Sequence, residues 1–309
     1  MGKGKGYGKV IFFGEHFAVY NLPAIAMALS ATADAEVFQT DSRGWDIRDD
    51  RQEAKGYIEE KKKMQIESLE RIFQYLKFRP EHLRIHLAGN LRAMSGIGAT
   101  GASSVAIVRA LADEFQIRLT DDEVNAASYQ GEIAYHGTKT SGIDNTVSTY
   151  GGVICLIRGE PNVIQKMKLK KPVEIVIGDT GIVSNTKVML DRFAERKIES
   201  PEKYQRILDE ANRIATKALS SIKAFDLAEI GRLLNQNHSL LQEAEISCPE
   251  LNLLVNLCRR EGAIGAKLTG GGGGGCMLAL TPGKELQEKV AGAIEREGFQ
   301  AIRTMVGVN

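Results

Sequence analysis

Cysteine is scarce. Cys155, Cys248, Cys258 and Cys276 are the only four in 309 residues, and their spacing fits neither a disulfide framework nor the paired pattern of a zinc site. Free buried thiols in a reducing compartment are the expectation. Charge of one sign is also lacking: forty basic against thirty-nine acidic residues leave a net +1. Lys61 to Lys63 and the interrupted run Lys166 to Lys171 are short and lie beside acids or apolar residues, so they read as solvated faces and not as a nucleic-acid track. No apolar run approaches the about 18 residues of a membrane span. The stretch MGKGKGYGK lacks the apolar core of a signal peptide, and position 6 is Gly where myristoylation of Gly2 wants Ser or Thr. A soluble, cytoplasmic protein with no nucleic-acid or membrane partner is expected.

What is present is glycine in two places that need explaining. Leu91 to Leu111, LRAMSGIGATGASSVAIVRAL, joins a glycine-rich turn to an apolar run of helical period. Gly96, Gly98 and Gly101 bring bare main chain close to whatever binds, and Thr100, Ser103 and Ser104 supply hydroxyls where the helix opens. A helix start carries unpaired N–H groups and the positive end of the dipole, so phosphate is its natural guest. Gly96-x-Gly98-x-x-Gly101 spells the dinucleotide fingerprint, but eight residues, Ala88 to Ser95, separate it from the strand Leu83 to Leu87, and Asp121 and Asp122 open another helix instead of ending a strand. Read as a Walker A loop it has Ala102 where lysine is required. A phosphate loop of another type remains, beside the plainer reading of a turn that only caps a helix. The second place is Gly270 to Gly275, six glycines between two apparent strands, where two turn residues would close a hairpin.

Length predicts two closely joined domains, and strands mixed with helices without regular alternation predict an α+β fold. Strands are expected at Lys9–Phe13, Leu22–Met27, Ala33–Gln39, Leu83–Leu87, Val153–Ile157, Val173–Ile177 and Ala301–Val306, and on either side of the six glycines. Asp41 to Asp50 reads as a loop or hairpin. Helices are expected over Arg51–Phe78, from about Ala102 to Phe115, from the Thr120-x-x-Glu123 capping box to about Tyr135, and over Lys284–Glu297. Three amphipathic helices should open at Ser200, at Asp226-x-x-Glu229 and at Ser247-x-x-Glu250.

In order along the chain, Lys9-Val-Ile-Phe-Phe-Gly14-Glu15-His16, Ser95-Gly-Ile-Gly-Ala-Thr100 and Lys267-Leu-Thr269-Gly270 through Cys276 are similar to the three motifs of the galactokinase, homoserine kinase, mevalonate kinase and phosphomevalonate kinase superfamily. Ser141-Gly-Ile-Asp144-Asn145 through Gly152, and Asn237-His238, resemble segments typical of its mevalonate kinase branch. Departures are Tyr7 where proline is usual, Ala99 and Thr100 for paired serines, Gly101, one extra residue between His136 and Ser141, and Gly271 where alanine is common.

The resemblance implies a nucleotide-binding domain over 1–170 and a ferredoxin-like domain over 171–309, with the active site in the cleft between them. It implies ATP as co-substrate, Mg²⁺ as metal, mevalonate phosphorylated at its 5-hydroxyl, and a homodimer. Ser95, Gly96, Ile97, Gly98, Ala99, Thr100, Gly101, Ser103 and Ser104 would hold ATP, and Thr100 and Glu132 the metal. Asp144 would be the base and Lys9 its partner. Glu15, His16, Asp144, Thr186, Gly271 and Gly272 would meet the substrate, while His136 would order a helix corner. Alternatives are a sibling kinase acting on phosphomevalonate, a sugar or a homoserine-like alcohol, and a silent nucleotide-binding regulator on the same fold. Lys9 and Asp144 count against the homoserine branch, whose members lack that pair.

Overall fold

In the computed structural model the described residues are 1–94, 96–138 and 140–308. The chain forms two compact units, one of residues 1–9 and 28–151, the other of residues 10–27 and 152–309. Two long strands, β1 (Gly2–Phe13) and β2 (Ala24–Gln39), pair with each other and contribute to both units. β1 begins seven residues before the expected strand, and β2 runs unbroken where two strands were expected.

In the first unit β2 pairs antiparallel with β4 (Leu83–Gly89), and β4 pairs in parallel with β3 (Trp45–Asp49), the stretch read as loop or hairpin. Among the described residues four helices complete the unit: α1 (Tyr57–Tyr75), α2 (Ala99–Glu114), α3 (Asp121–His136) and α4 (Ile143–Tyr150). The Thr120 and Glu123 capping box is complete at the start of α3. Helix α1 starts at Tyr57 and not Arg51, after Gly56 in the left-handed conformation, and its buried stripe is Leu69, Ile72 and Phe73; Ile66 is exposed.

The alternate glycines of β1 explain its lie. A Cβ on Gly2, Gly4 or Gly6 would stand 2.3, 2.1 or 2.1 Å from the carbonyl oxygens of Ala110, Ala106 and Ala102. Strand residues two apart advance ~6.6 Å and helix residues four apart ~6 Å, so the bare side of the strand matches successive turns of α2. That seats the end of β1 beside the start of α2.

In the second unit Ala24–Met27 of β2 pairs with β5 (Val153–Ile157), which pairs with β6 (Val163–Met167), where no strand was expected. The four strands β7 (Val173–Asp179), β8 (Gly265–Thr269), β9 (Cys276–Leu280) and β10 (Gln300–Val306) lie in the antiparallel order β10-β7-β9-β8. With helices between β7 and β8 and between β9 and β10 this is ferredoxin-like, as expected. The helices are α5 (Thr186–Glu199), α6 (Pro201–Ala224), α7 (Leu227–Glu243), α8 (Pro249–Arg260) and α9 (Lys284–Arg296). α5 was not anticipated. Cys248, not Ser247, precedes α8, and the Ser247 hydroxyl donates to Asn252 Oδ1 instead.

Helix α7 serves the edge of β8. Ala266 N–H donates to Asn235 Oδ1 at 3.0 Å and Leu268 N–H to His238 Nδ1 at 3.3 Å, so two side chains stand in for a neighbouring strand. His238 is buried, and its surroundings push its pKa down to about 3, first by burial and then by the charges of Arg259 and Lys267. All four cysteines are free. Among the described residues no helix is long and apolar enough to cross a membrane.

Candidate active site

The glycine turn delivers α2 as the sequence predicts, three residues earlier than expected. Gly98 caps the helix in the left-handed conformation, and a Cβ there would stand 2.7 Å from Lys9 Cγ. The Lys9 N–H donates to Ile97 O at 2.9 Å, tying the end of β1 to the turn. Lys9 is 4% exposed, and its Nζ lies 3.1 Å from Asp144 Oδ1. Asp144 sits in the first turn of α4, a helix capped by Gly142 in the left-handed conformation. Asn145 anchors that helix to α3 by donating to Asn125 Oδ1 and O. Gly101 has its reason here too: a Cβ on it would stand 2.8 Å from the Asp144 carbonyl carbon.

Glu132 is fully buried on α3 and accepts a hydrogen bond from Thr100 Oγ1 at 3.3 Å through Oε2; among the described residues its Oε1 has no hydrogen-bond partner. Burial, followed by the nearby Asp144 charge, raises the Glu132 pKa to about 8. A carboxylate kept here without water needs a proton or a cation. The structure therefore brings Lys9, Thr100, Glu132 and Asp144 together with Gly96, Ile97, Gly98, Ala99 and Gly101. Ser103 donates to Ala99 O at 2.7 Å, and Ser104 faces Gly131 of α3. Ser95 lies outside the described residues.

A pocket beside this cluster is lined by Asp49, Arg51, Tyr57, Thr100, Ser103 and Tyr135. Arg51 and Asp49 form a buried bidentate ion pair, and Arg51 Nη1 donates to Ala99 O at 3.3 Å, bracing the start of α2. No motif marked Arg51. Its only sequence signal is an Asp two residues earlier, at the end of a strand the sequence did not show.

The second unit holds another cluster. Gly14-Glu15-His16 follows β1, and His16 has a left-handed backbone, φ 62°. Its Nε2 lies 2.7 Å from Gly271 O. A carbonyl only accepts, so Nε2 carries the proton, and Nδ1 is a buried acceptor with no partner among the described residues. Burial lowers the His16 pKa to about 4, with the Gly271 bond opposing and Lys267 assisting. Glu15 and Lys267 form a fully buried ion pair, and Lys267 also donates to Leu268 O at 2.6 Å. Thr269 Oγ1 accepts from Ile11 N–H at 3.0 Å and donates to Ile11 O at 3.1 Å. Three alternate residues, Lys267, Thr269 and Gly271, thus hold the segment from Ile11 to His16. Five of the six loop glycines have positive φ. Gly271 is the sixth; a Cβ there would meet Thr186 Oγ1 at 2.4 Å and Ser184 Oγ at 2.6 Å. Ser184 Oγ donates to Gly272 O at 2.7 Å, and Asn185 caps α5. The role of Lys267 was missed, although a lysine in the apolar strand Gly265–Thr269 is itself a signal.

Comparison with known proteins agrees with this geometry. The family model GHMP kinases N terminal domain matches residues 64–152, and GHMP kinases C terminal matches 218–300. The mevalonate kinase of Pyrococcus horikoshii is 32% identical, over 94% of this chain and 91% of its own. That of Methanothermobacter thermautotrophicus is 30% identical, over 89% and 88%. A crystal structure of L. major mevalonate kinase in complex with R-mevalonate superposes with a TM-score of 0.94 at 34% identity, covering 99% of this chain and 96% of that one. Lactococcus lactis galactokinase, at 15% identity and a TM-score of 0.76, shares the fold. The chain belongs to the GHMP kinases and, within them, to the mevalonate kinase family.

Proposed function

We propose that this protein transfers the terminal phosphoryl group of ATP to the 5-hydroxyl of mevalonate, giving 5-phosphomevalonate and ADP. One observation carries the chemistry: the buried Lys9 ammonium lies 3.1 Å from the Asp144 carboxylate, beside Thr100 and Glu132. Asp144 accepts the proton of the attacking hydroxyl, and Lys9 balances the negative charge that grows on that oxygen. The backbone N–H groups of Gly96 to Gly101 and the start of α2 receive the ATP phosphates. Phosphoryl transfer asks the protein mainly for positioning and charge stabilisation, which these groups supply.

Glu132 and Thr100 would hold Mg²⁺. They offer hard oxygens, and the buried Glu132 Oε1, unpartnered among the described residues, fits a cation. When bound, Mg²⁺ supplies charge neutralisation at the phosphate oxygens. Glu15, His16, Thr186, Gly271 and Gly272 contact mevalonate in this reading, His16 by accepting a hydrogen bond at Nδ1. The mevalonate bound to the L. major relative supports this choice of substrate. The functional division is 1–170 for nucleotide, metal and base, with Glu15 and His16 adding to the substrate contacts, and 171–309 for the glycine-rich substrate side, in a cytoplasmic homodimer. Sedimentation should give about twice the 33.8 kDa of one chain; a monomer mass would remove the dimer.

The test is ADP release with ATP and Mg²⁺ on mevalonate, phosphomevalonate, homoserine and galactose. Strong preference for mevalonate is expected. Preference for any other member, or no turnover with any, overturns the reading.

A further inference from the structure

The proposed reaction leaves one side chain of the Lys9 cluster unused. His136 lies one turn after Glu132 on α3, with its Nε2 3.6 Å from Glu132 Oε2. One ligand atom each from Glu132, His136 and Asp144 lie within 4.8 Å of one another. Glu132 is fully buried with Oε1 unpartnered among the described residues, whereas the His136 side chain is 45% exposed, which gives an ion a way in from solvent. Lys9 offsets one of the two carboxylate charges, so a dication meets a site still short of positive charge. An imidazole nitrogen with two carboxylates suits Mn²⁺, Co²⁺ or Zn²⁺, while Mg²⁺ prefers oxygen ligands alone.

We propose that Glu132, His136 and Asp144 form a binding site for a transition-metal dication. It excludes the Mg²⁺ held by Glu132 and Thr100, because both need Glu132. Occupancy converts Asp144 from proton acceptor to metal ligand, so the ion inhibits. Inhibition rests on the kinase reading above; binding does not.

The test titrates Co²⁺ into the metal-free, nucleotide-free full chain, followed by visible absorbance and calorimetry. One Co²⁺ per chain should bind with a dissociation constant on the order of micromolar. His136→Gln and Asp144→Asn should each weaken it about 10-fold or more. His86→Gln removes a surface imidazole 2.9 Å from Asp50 and should change nothing. Circular dichroism of each metal-free variant separates lost binding from lost fold, and either of the two site variants suffices. Binding weaker than ~1 mM, or binding lost in His86→Gln and kept in the other two, overturns the site. In turnover assays the Zn²⁺ concentration that halves the rate should rise about 10-fold in His136→Gln. Co²⁺ binding without mevalonate phosphorylation would defeat the kinase reading and leave the site; phosphorylation without Co²⁺ binding would defeat only the site.

Discussion

Gly101 of α2 and Asp144 of α4 touch through their main chains: a Cβ on Gly101 would stand 2.8 Å from the Asp144 carbonyl carbon and 3.0 Å from its Cβ. The helix that opens at the phosphate turn therefore sets the place of the proposed base. Gly101→Ala should push α4 away, costing about 1–3 kcal/mol in overpacking. The rate should suffer more than ATP affinity. Steady-state kinetics check this; an unchanged kcat would mean that α4 yields without moving the carboxylate.

Glu132→Gln removes the charge a metal needs and spares the cost of burying a carboxylate. A carboxyl raised to about 8 from 4.5 binds more protons in the fold than in the unfolded chain, so stability falls as pH rises through that window. Above pH 8 the metal-free variant should melt higher than the parent, while its Mg²⁺ requirement in turnover rises steeply. Thr100→Ala should raise that requirement more mildly. An unchanged Mg²⁺ dependence in Glu132→Gln would take the residue out of the metal shell.

His238 titrates with the opposite sense. Its folded pKa is about 3 against 6.5 unfolded, so its contribution is complete above pH 6.5 and is lost as pH falls towards 3, at up to ~1.4 kcal/mol per pH unit. His16, at about 4, adds to the same acid loss. His238→Asn keeps an acceptor for the Leu268 N–H and removes the proton site. Urea unfolding at pH 7 and pH 4.5 should show a smaller difference in the variant; an equal difference would place the acid sensitivity elsewhere.

Lys267 and Glu15 are both fully enclosed, so breaking the pair leaves a bare buried charge. Lys267→Met should cost about 3–5 kcal/mol. Glu15→Gln combined with Lys267→Met should recover most of it, because no uncompensated charge remains. Denaturant midpoints read this directly, and a double variant as unstable as the sum of the singles would refute the pairing.

Much of this was legible in the sequence. The family resemblance marked Lys9, Thr100, Glu132 and Asp144, and the structure assembles those four. Helix α4 was not visible, because IDNTVSTY is short and rich in β-branched residues; Gly142 at its cap and packing on α2 and α3 make it a helix. Helix α5 buries only Met189 and Phe193, too few to show a stripe. β3 forms because β4 offers it a parallel edge, which no local pattern announces. Lys267 and Glu15 are 252 residues apart, and each alone reads as an ordinary charge.

The relation between Lys9 and Asp144 is the centre of the proposed chemistry, and Asp144→Asn with mevalonate as substrate tests it most directly. Asn keeps the size and can accept a hydrogen bond, but it takes no proton and shows Lys9 no charge. kcat should fall about 10² to 10⁴-fold with the KM for ATP nearly unchanged. Lys9→Met should behave alike, and the double variant should be little worse than the poorer single one. A near-parental kcat in Asp144→Asn, or losses that multiply in the double variant, would contradict the assignment.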